Sequence, residues 1–266
     1  MNTVYCILPV HQDDNYSHLM QCLKSIDNLI VPKDIAFFLY IGVDGNLPTE
    51  LENSIYQYKR YGDKICQIFS STVRKGLAAN LNNVIQSIDC IEGVFIMRMD
   101  ADDIMEPERL IIQLQFLQEN PSIDIVSSCA TKIDTNGKKI GYQEHIVGQV
   151  YPGHTWKNPI IHPSVLIRSE FFMIHGLYNE RFKYAQDWEL WARACRSGAK
   201  FAVLPQRLLR FRLNRNSIYR RKETQFYVLK IALYHLRGTK VKLLVVVRSL
   251  IIFFLPVPII KKFLNL

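Results

Sequence analysis

The first half of the chain alternates short apolar runs with segments of helical periodicity, and this alternation restricts the fold more than any other feature. Strands are predicted at 4–8, 36–43, 65–69, 94–97 and 124–128, and helices at 16–29, 51–61, 77–88 and 107–120. Repeated strand–helix units predict an α/β fold with a mostly parallel sheet and helices on both faces. Because ligands of such sheets bind at the carboxyl ends of the strands, polar residues that follow each strand are the candidates for a site.

The second half has a different pattern. A hairpin is predicted over 131–142 around Asn136-Gly137, followed by strands at 164–168, 201–204 and 208–213 and an amphipathic helix at 187–197. No repeat, low-complexity stretch or linker interrupts these elements. We therefore expect one continuous domain over residues 1–215, followed by a tail of different composition over 216–266.

Charge is distributed unevenly along the 266 residues. The net charge is +9, yet from Lys200 onward 15 lysines and arginines stand against a single acid, Glu223. Such asymmetry suggests that the tail meets an anionic partner, either a membrane or a nucleic acid.

The cysteines and the N-terminal residues indicate a cellular location. The six cysteines form no CxxC pair, and the first residues enter a strand at once without a leader pattern, so a reducing, cytosolic location is expected.

Three carboxylates, Asp100, Asp102 and Asp103, follow the predicted strand at 94–97. Placed together they repel one another unless a cation or several donors compensate their charge. Mg²⁺ and Mn²⁺ prefer carboxylate oxygens and can bridge to substrate phosphates. A solvated acidic turn before the helix that Pro107 opens is the alternative, but the position at a strand end, shared with the acidic turn at Asp44, favours a metal site.

A weaker anion site is indicated where Arg74, Lys75 and Gly76 precede a predicted helix, because helix N-termini attract negative charge. The chain contains neither a GxxxxGK[ST] loop nor a GxGxxG fingerprint. P-loop enzymes and NAD-dependent dehydrogenases are therefore disfavoured.

Asp187 begins the later helix and has two interpretations. It is either an ordinary N-cap or a carboxylate general base beside an acceptor, walled by Trp188 and Trp191, whose aromatic faces suit sugar rings. His162, which precedes Pro163, is either structural or a group that touches a metal or phosphates.

These motifs, in this order, resemble glycosyltransferase family 2, the inverting enzymes with the GT-A fold, and most of all the bacterial enzymes of O-antigen and capsule synthesis. The similarity runs from Val4 to about Asn216. Its elements are Ile7-Leu8-Pro9-Val10, Val43-Asp44-Gly45, Lys75-Gly76-Leu77 with Asn80, Met99-Asp100-Ala101-Asp102-Asp103 with Pro107-Arg109-Leu110, Ile161-His162-Pro163-Ser164-Val165 and Gln186-Asp187-Trp188-Glu189-Leu190-Trp191.

The resemblance implies a role for each candidate. Pro9, His11 and Asp44 would line the uridine pocket, and Lys75 would lie near the base or the phosphates. Asp100 and Asp102 would form a DxD motif that holds Mn²⁺ or Mg²⁺, with Asp100 also toward the ribose. Asp103 would orient the donor sugar, and Asp187 would be the catalytic base. The sequence departs from the family pattern at Val43, which replaces an aspartate, and at Gln186, which replaces a glutamate.

The resemblance also implies a reaction and its partners. A hexose, galactose or glucose, would pass from a UDP-α-sugar to a sugar hydroxyl with inversion, which gives a β-linkage. The acceptor would be linked through diphosphate to a polyprenol, with GlcNAc on undecaprenol favoured, in O-antigen, capsule or exopolysaccharide synthesis. Residues 1–105 would then form the nucleotide-sugar-binding half of the catalytic domain, and residues 106–215 the acceptor half.

The tail contains a strongly apolar run at 243–260 that Arg248, Pro256 and Pro258 interrupt. A spanning helix needs about 20 apolar residues, and a central arginine costs roughly 2.5–3.5 kcal/mol on insertion scales. We therefore predict a helical segment that binds the inner face of the bacterial plasma membrane peripherally, flanked by lysines that favour anionic lipid. A core helix packed on the catalytic domain is the alternative.

Two other classes of protein fit the sequence less well. A sugar-phosphate nucleotidyltransferase would carry a glycine-rich, arginine-containing loop after the first strand, whereas residues 9–14 here read Pro-Val-His-Gln-Asp-Asp. A nucleic-acid-binding protein is suggested only by the basic tail, which has no zinc-finger spacing and no RNP-like aromatic motif. We therefore expect no nucleic-acid partner.

Overall fold

A central sheet organises the part of the chain that the computed structural model describes, residues 2–62, 64–213 and 217–254. Ten strands of the described residues belong to it: β1 (Asn2–His11), β2 (Ile35–Asp44), β3 (Ile65–Ser71), β4 (Val94–Arg98), β5 (Ile104–Met105), β6 (Ile125–Ile133), β7 (Lys139–Gln143), β8 (Gly148–Val150), β9 (Leu166–Arg168) and β10 (Phe201–Arg212). The helices are α1 (Tyr16–Asp27), α2 (Thr49–Tyr61), α3 (Leu77–Ile85), α4 (Arg109–Glu119), α5 (Glu170–His175), α6 (Gln186–Arg196), α7 (Ser217–Tyr234) and α8 (Thr239–Phe254).

The strand order is β3-β2-β1-β4-β9-β6-β10-β5, with β7 paired to β6 and β8 to β10. The first four strands in this order are parallel, because a helix crosses back between each strand and the next along the chain. The second half is mixed: β9 runs antiparallel to both β4 and β6, while β10 is parallel to β6. The α/β fold and the parallel sheet of the first half, predicted from the alternating pattern, are confirmed.

The predictions for the second half were right in type and wrong in their boundaries. The predicted strand at 124–128 and the first strand of the hairpin are one strand, β6. The strands predicted at 201–204 and 208–213 are likewise one, β10, with register shifts on either side of Arg207. The elements β5, β8 and α5 were not predicted, because two to six residues are too few to show a period.

Apolar side chains cover both faces of the sheet. One cluster packs α1, α2 and α4 on the first face through residues such as Leu23, Leu51 and Leu114. A second packs α3, α5 and α6 on the other face through residues such as Leu81 and Phe171. A third, smaller cluster joins α6 to α7 and α8, so the tail helices are attached to the rest of the fold through α6.

The helix α8 buries only part of its apolar surface. Among its residues, Val245, Ser249 and Ile252 are buried, whereas a broad apolar face remains exposed. Within residues 2–62, 64–213 and 217–254, no helix combines the length and the apolar character that a membrane span needs. The end of the predicted apolar run at 255–260, with its two prolines, and the lysines at 261 and 262 lie outside the described residues.

Candidate active site

The parallel register brings the predicted donor-binding residues to one edge of the sheet. His11 is the last residue of β1 and pairs with Asp44, the last residue of β2, and Pro9 pairs with Gly42. On the other side of β1, the amide of Met99 donates to the carbonyl of Ile7 just after β4 ends. The loops that follow β1, β2 and β4 therefore meet, as the sequence predicted.

Asp44 is buried and holds the start of α3. Its Oδ1 accepts a hydrogen bond from the amide of Lys75 (2.7 Å), and its Oδ2 accepts one from the amide of Gly76 (2.8 Å). These two bonds bring Lys75 to the edge where β2 ends. A cavity of about 280 Å³ opens beside this point, lined among others by Val43, Gly45 and Ser71.

The three acids after β4 form one cluster, in which a carboxylate oxygen of each lies within 4.8 Å of the others. Asp103 is fully buried, and its Oδ1 accepts from the amide of Arg212 (2.7 Å). The Nε of Arg212 also donates to the carbonyl of Asp102 (2.7 Å), so β10 fixes the acidic loop from the far half of the chain.

Burial and mutual repulsion disfavour the ionised forms of these acids. Burial, followed by the charges of Asp100 and Asp14, raises the pKa of Asp102 to about 7. Burial, followed by the negative charges of Asp102 and Asp100, raises the pKa of Asp103 well above its usual value. Three crowded carboxylates of this kind match the oxygen-ligand preference of a hard divalent cation, and such an ion would stabilise their charged forms.

Asp14 is a fourth acid at this site, and the sequence analysis did not select it. Its Oδ2 accepts from the amide of His11 (2.8 Å), and its Oδ1 lies 3.2 Å from Nδ1 of the same histidine. Burial raises the pKa of Asp14, and the nearby Asp100 raises it further. The only signal in the sequence was its place in the acidic loop after the first strand.

Asp187 lies in the first turn of α6 but is not its N-cap. The cap position belongs to Ala185, which adopts a left-handed conformation with φ of 55°, so the N-cap interpretation of Asp187 was wrong. The Oδ2 of Asp187 accepts a hydrogen bond from Nδ2 of Asn158 (2.7 Å). Burial raises the pKa of Asp187, as suits a carboxylate that must accept a proton.

Arg98 is a buried cation paired with the acidic cluster. Its side chain is 2% exposed, and its Nη1 lies 2.5 Å from Oδ1 of Asp100. Burial raises the pKa of Asp187, while backbone amides at the start of α6 and then the charge of this guanidinium lower it. Within the described part of the chain, Nε and Nη2 of Arg98 have no hydrogen-bond partner. Arg98 directly precedes the acidic motif in the sequence but was not among the predicted site residues.

Two aromatic residues do not lie where the sequence analysis expected them. Trp188 and Trp191 are 3% and 0% exposed, so they belong to the core and do not wall an acceptor site. Trp188 packs toward the tail helices, while Trp191 packs against the sheet side of α6. The tryptophan that is exposed on this side of the molecule is Trp156, two residues before Asn158.

His162 has the contacts of a structural histidine. It is buried, its Nε2 lies 2.8 Å from the hydroxyl of Tyr178, and its ring packs edge-on to Trp191. Burial, followed by the charge of Arg98, lowers its pKa well below the usual value and keeps it neutral.

Comparison with known proteins agrees with this arrangement. The sequence model of glycosyl transferase family 2 matches residues 5–182, which include every candidate except Asp187. The chain belongs to glycosyltransferase family 2. It is therefore a glycosyltransferase, and this membership decides against the nucleotidyltransferase alternative.

Relatives within glycosyltransferase family 2 include enzymes of bacterial polysaccharide synthesis. The amylovoran biosynthesis glycosyltransferase AmsE of Erwinia amylovora is 25% identical over 88% of either chain. The UDP-Gal:alpha-D-GlcNAc-diphosphoundecaprenol beta-1,3-galactosyltransferase of Escherichia coli is 24% identical over 86% of this chain and 81% of its own length.

A solved structure shows the same fold. S. aureus TarS 1–349, in complex with UDP-GlcNAc, superposes with a TM-score of 0.66 at 16% identity, covering 95% of this chain and 72% of that one. The match confirms the GT-A fold that the resemblance implied.

Proposed function

We propose that this glycosyltransferase moves a hexose, galactose or glucose, from a UDP-sugar to a sugar hydroxyl of a polyprenyl-diphosphate-linked acceptor, with inversion. The observation that carries the proposal is the cluster of Asp100, Asp102 and Asp103 after β4, with the buried Arg98 paired to Asp100 and its charge also acting on Asp187. One site then holds both a group for the leaving diphosphate and a base for the attacking hydroxyl.

The donor half of the proposal assigns the nucleotide to the shared edge of β1 and β2. Pro9, His11 and Asp44 would contact the uridine and Lys75 the base or phosphates, because these residues surround the ends of the two strands. Asp103 would orient the donor sugar. The names of the E. coli relative and of the TarS complex, which carry UDP-Gal and UDP-GlcNAc, support a UDP-linked donor.

Asp100 and Asp102 would hold Mn²⁺ or Mg²⁺. The crowded, partly buried carboxylates fit such an ion, since its charge would stabilise the ionised forms that burial disfavours. When bound, the metal supplies a positive centre that stabilises the charge on the departing diphosphate.

Asp187 would act as the general base. Its raised pKa makes it a better proton acceptor than an ordinary aspartate, and the hydrogen bond from Asn158 fixes its direction. The acceptor hydroxyl would lose its proton to Asp187 while its oxygen attacks the anomeric carbon on the face opposite the diphosphate. General-base assistance contributes roughly 10²–10⁴ in rate. A single displacement converts a UDP-α-sugar into a β-linkage.

A lipid-linked acceptor would explain why the tail has an exposed apolar face. Along α8, Leu243, Val247, Leu250 and Phe254 recur at helical spacing and are all exposed. Exposed apolar stripes of this kind, close to basic residues such as Lys240, suit the surface of an anionic membrane, here the inner face of the bacterial plasma membrane. The diphosphate-linked undecaprenol in the name of the E. coli relative supports GlcNAc on undecaprenyl diphosphate as acceptor.

The three parts of the chain that were predicted from the sequence would have separate roles. Residues 1–105 would bind the nucleotide-sugar, residues 106–215 would bind the acceptor, and residues 216–266 would associate with the membrane.

The test is a panel of UDP-sugars assayed by released UDP with a synthetic GlcNAc-diphosphate-lipid acceptor and Mn²⁺. UDP-galactose or UDP-glucose should give a β-linked disaccharide product. An α-linked product would contradict single displacement, and release of pyrophosphate would contradict glycosyl transfer.

A further inference from the structure

An exposed tryptophan in the loop that contacts Asp187 lies near two cations. Trp156 is 47% exposed, and the Nζ of Lys157 and the guanidinium carbon of Arg248 each lie 5.5 Å from the centre of its ring. One cation comes from the loop itself and the other from the tail helix α8. Neither the proposed donor site nor the proposed base uses these three residues.

The loop at 151–161 that carries Trp156 is attached both to the base and to the tail. Toward α6, Asn158 donates to Asp187, and the indole Nε1 of Trp188 donates to the carbonyl of Pro152. Trp156 is two positions before Asn158, so their Cα atoms are at most about 7 Å apart. The exposed ring therefore belongs to the short stretch of loop that contacts the carboxylate of Asp187.

The tail holds the other side of the same loop. The amide of Arg237 donates to the carbonyl of Gly153 (2.7 Å), and Nη1 of Arg248 lies 3.5 Å from the carbonyl of Trp156. On α8, Arg248 is one turn from the buried residues Val245 and Ile252, and it is away from the apolar stripe. The charge that interrupts the apolar run in the sequence is thus directed to the acceptor side of the domain.

Several cations lie around the loop. Burial, followed by the charges of Lys157 and Lys132, lowers the pKa of His145 to about 4, so this histidine is neutral at physiological pH. The ammonium groups of Lys132 and Lys157 therefore lie near His145, and the guanidinium of Arg248 lies beside Trp156, an arrangement of cations that suits an anionic ligand.

We propose that Trp156, Lys157 and Arg248 form the subsite for the sugar-diphosphate head of the lipid acceptor. The indole face stacks on the first sugar, while the guanidinium and the ammonium pair with the diphosphate. Arginine matches phosphate oxygens with two parallel donors, and lysine adds a point charge. A sugar whose hydroxyl meets Asp187 presents its diphosphate on the far side of the ring, toward these cations. This inference rests on the proposed function, and it gives α8 a second role besides membrane contact.

The experiment compares two acceptors on the full-length chain in detergent micelles with the preferred UDP-sugar. One is GlcNAc linked through diphosphate to a short alkyl chain, and the other is the same alkyl chain linked to GlcNAc without the diphosphate. In the unmodified protein the diphosphate acceptor should have a KM at least about tenfold lower. Lys157→Gln and Arg248→Gln should each raise that KM about tenfold, as expected for one lost charged hydrogen bond, and leave the KM of the other acceptor unchanged.

The controls separate the diphosphate from the sugar. Lys59→Gln, which removes a lysine from α2, should change neither KM, and Trp156→Ala should raise both. An alkyl diphosphate without sugar should compete with the acceptor, and its inhibition constant should rise about tenfold in the two charge variants. Because Lys157 is exposed on a loop, Lys157→Gln tests the subsite even if Arg248→Gln disturbs α8.

The outcomes separate the inference from the proposed function. Equal KM values for the two acceptors in the unmodified protein, or equal effects of the charge variants on both, would overturn the subsite while glycosyl transfer stands. If no UDP-sugar gives transfer to either acceptor, the proposed function fails and the subsite fails with it.

Discussion

The Nδ2 of Asn158 donates a 2.7 Å hydrogen bond to Oδ2 of Asp187, across 29 residues of chain. This bond stabilises the ionised carboxylate and so lowers the pKa of Asp187. Burial has the opposite and larger effect, so the pKa is raised overall. The loop at 151–161 therefore contributes to the direction of the proposed base and, after burial, the backbone amides of α6 and the charge of Arg98, to its pKa.

Replacing Asn158 with alanine should move the pH dependence of transfer. A base must be ionised to accept a proton, so activity appears as the pH rises through its pKa. Loss of the hydrogen bond raises the pKa of Asp187 further, and the acidic limb of kcat/KM should shift to higher pH. The check is the pH profile of Asn158→Ala against the unmodified protein. A fall in kcat/KM by the same factor at every pH would mean that Asn158 is only structural.

Asp187→Asn should lose transfer by about 10²–10⁴-fold and keep its affinity for UDP, because the residue would face the acceptor. Initial rates with the diphosphate acceptor and titration with UDP measure the two effects. Near-normal rates in the folded fraction of a destabilised variant would argue that Asp187 only supports the start of α6.

Removal of the divalent cation should abolish transfer. EDTA should stop the reaction, Mn²⁺ or Mg²⁺ should restore it, and Asp102→Ala should be inactive yet folded. Because the pKa of Asp102 is raised to about 7 without metal, protons should compete with Mn²⁺, and Mn²⁺ affinity should fall as the pH drops below about 7. Calorimetry at two pH values measures this, with Asp34→Ala as a surface control. Full activity in EDTA would contradict the assignment.

Arg98→Met should destabilise the fold by about 1.5–3 kcal/mol, since it removes a charged hydrogen bond from a buried arginine to Asp100, which is 33% exposed. The loss should be larger at pH 8 than at pH 5, because the neighbouring carboxylates are more fully ionised at the higher pH. Added Mn²⁺ should stabilise this variant more than the unmodified protein. Urea denaturation at both pH values measures the difference, and a loss that is equal at pH 5 and pH 8 would speak against an electrostatic role.

Ala185→Gly should stabilise the chain slightly. A left-handed conformation costs an alanine about 1–2 kcal/mol, and the greater freedom of unfolded glycine offsets about 0.5–1 kcal/mol of that gain. Thermal unfolding should show a small rise in Tm. Ala194→Gly, in the interior of α6, is the matched control and should cost about 1 kcal/mol. A fall in Tm for Ala185→Gly would mean that the methyl group makes a packing contact worth more than the strain.

Removal of the tail from Thr239 onward should release the protein from membranes. The full-length chain should pellet with anionic vesicles and come off in high salt with mild detergent. Val247→Glu combined with Leu250→Glu should also prevent pelleting, because both side chains lie on the exposed face of α8. Ile65→Glu, an exposed apolar residue on β3, is the control and should still pellet. If the unmodified protein stays in solution at low salt, the tail is not a membrane anchor.

The amino-acid sequence by itself determined the order of strands and helices in the first half and the place of the acidic motif at the end of β4. Both follow from short-range rules, because apolar periodicity and the residues that end a strand act over a few positions. The same rules gave the wrong boundaries where one long strand, such as β10, contains a register shift.

Only the tertiary structure decided which groups complete the site. Arg212 supports Asp103 from 109 positions away, and Asn158 reaches Asp187 through a loop that has no regular pattern. Helical periodicity suggested an aromatic wall at Trp188 and Trp191, but α6 packs on the sheet with one side and on the tail with the other, so both rings are buried. Contacts of this range depend on how the layers pack around the whole sheet, which no local pattern encodes.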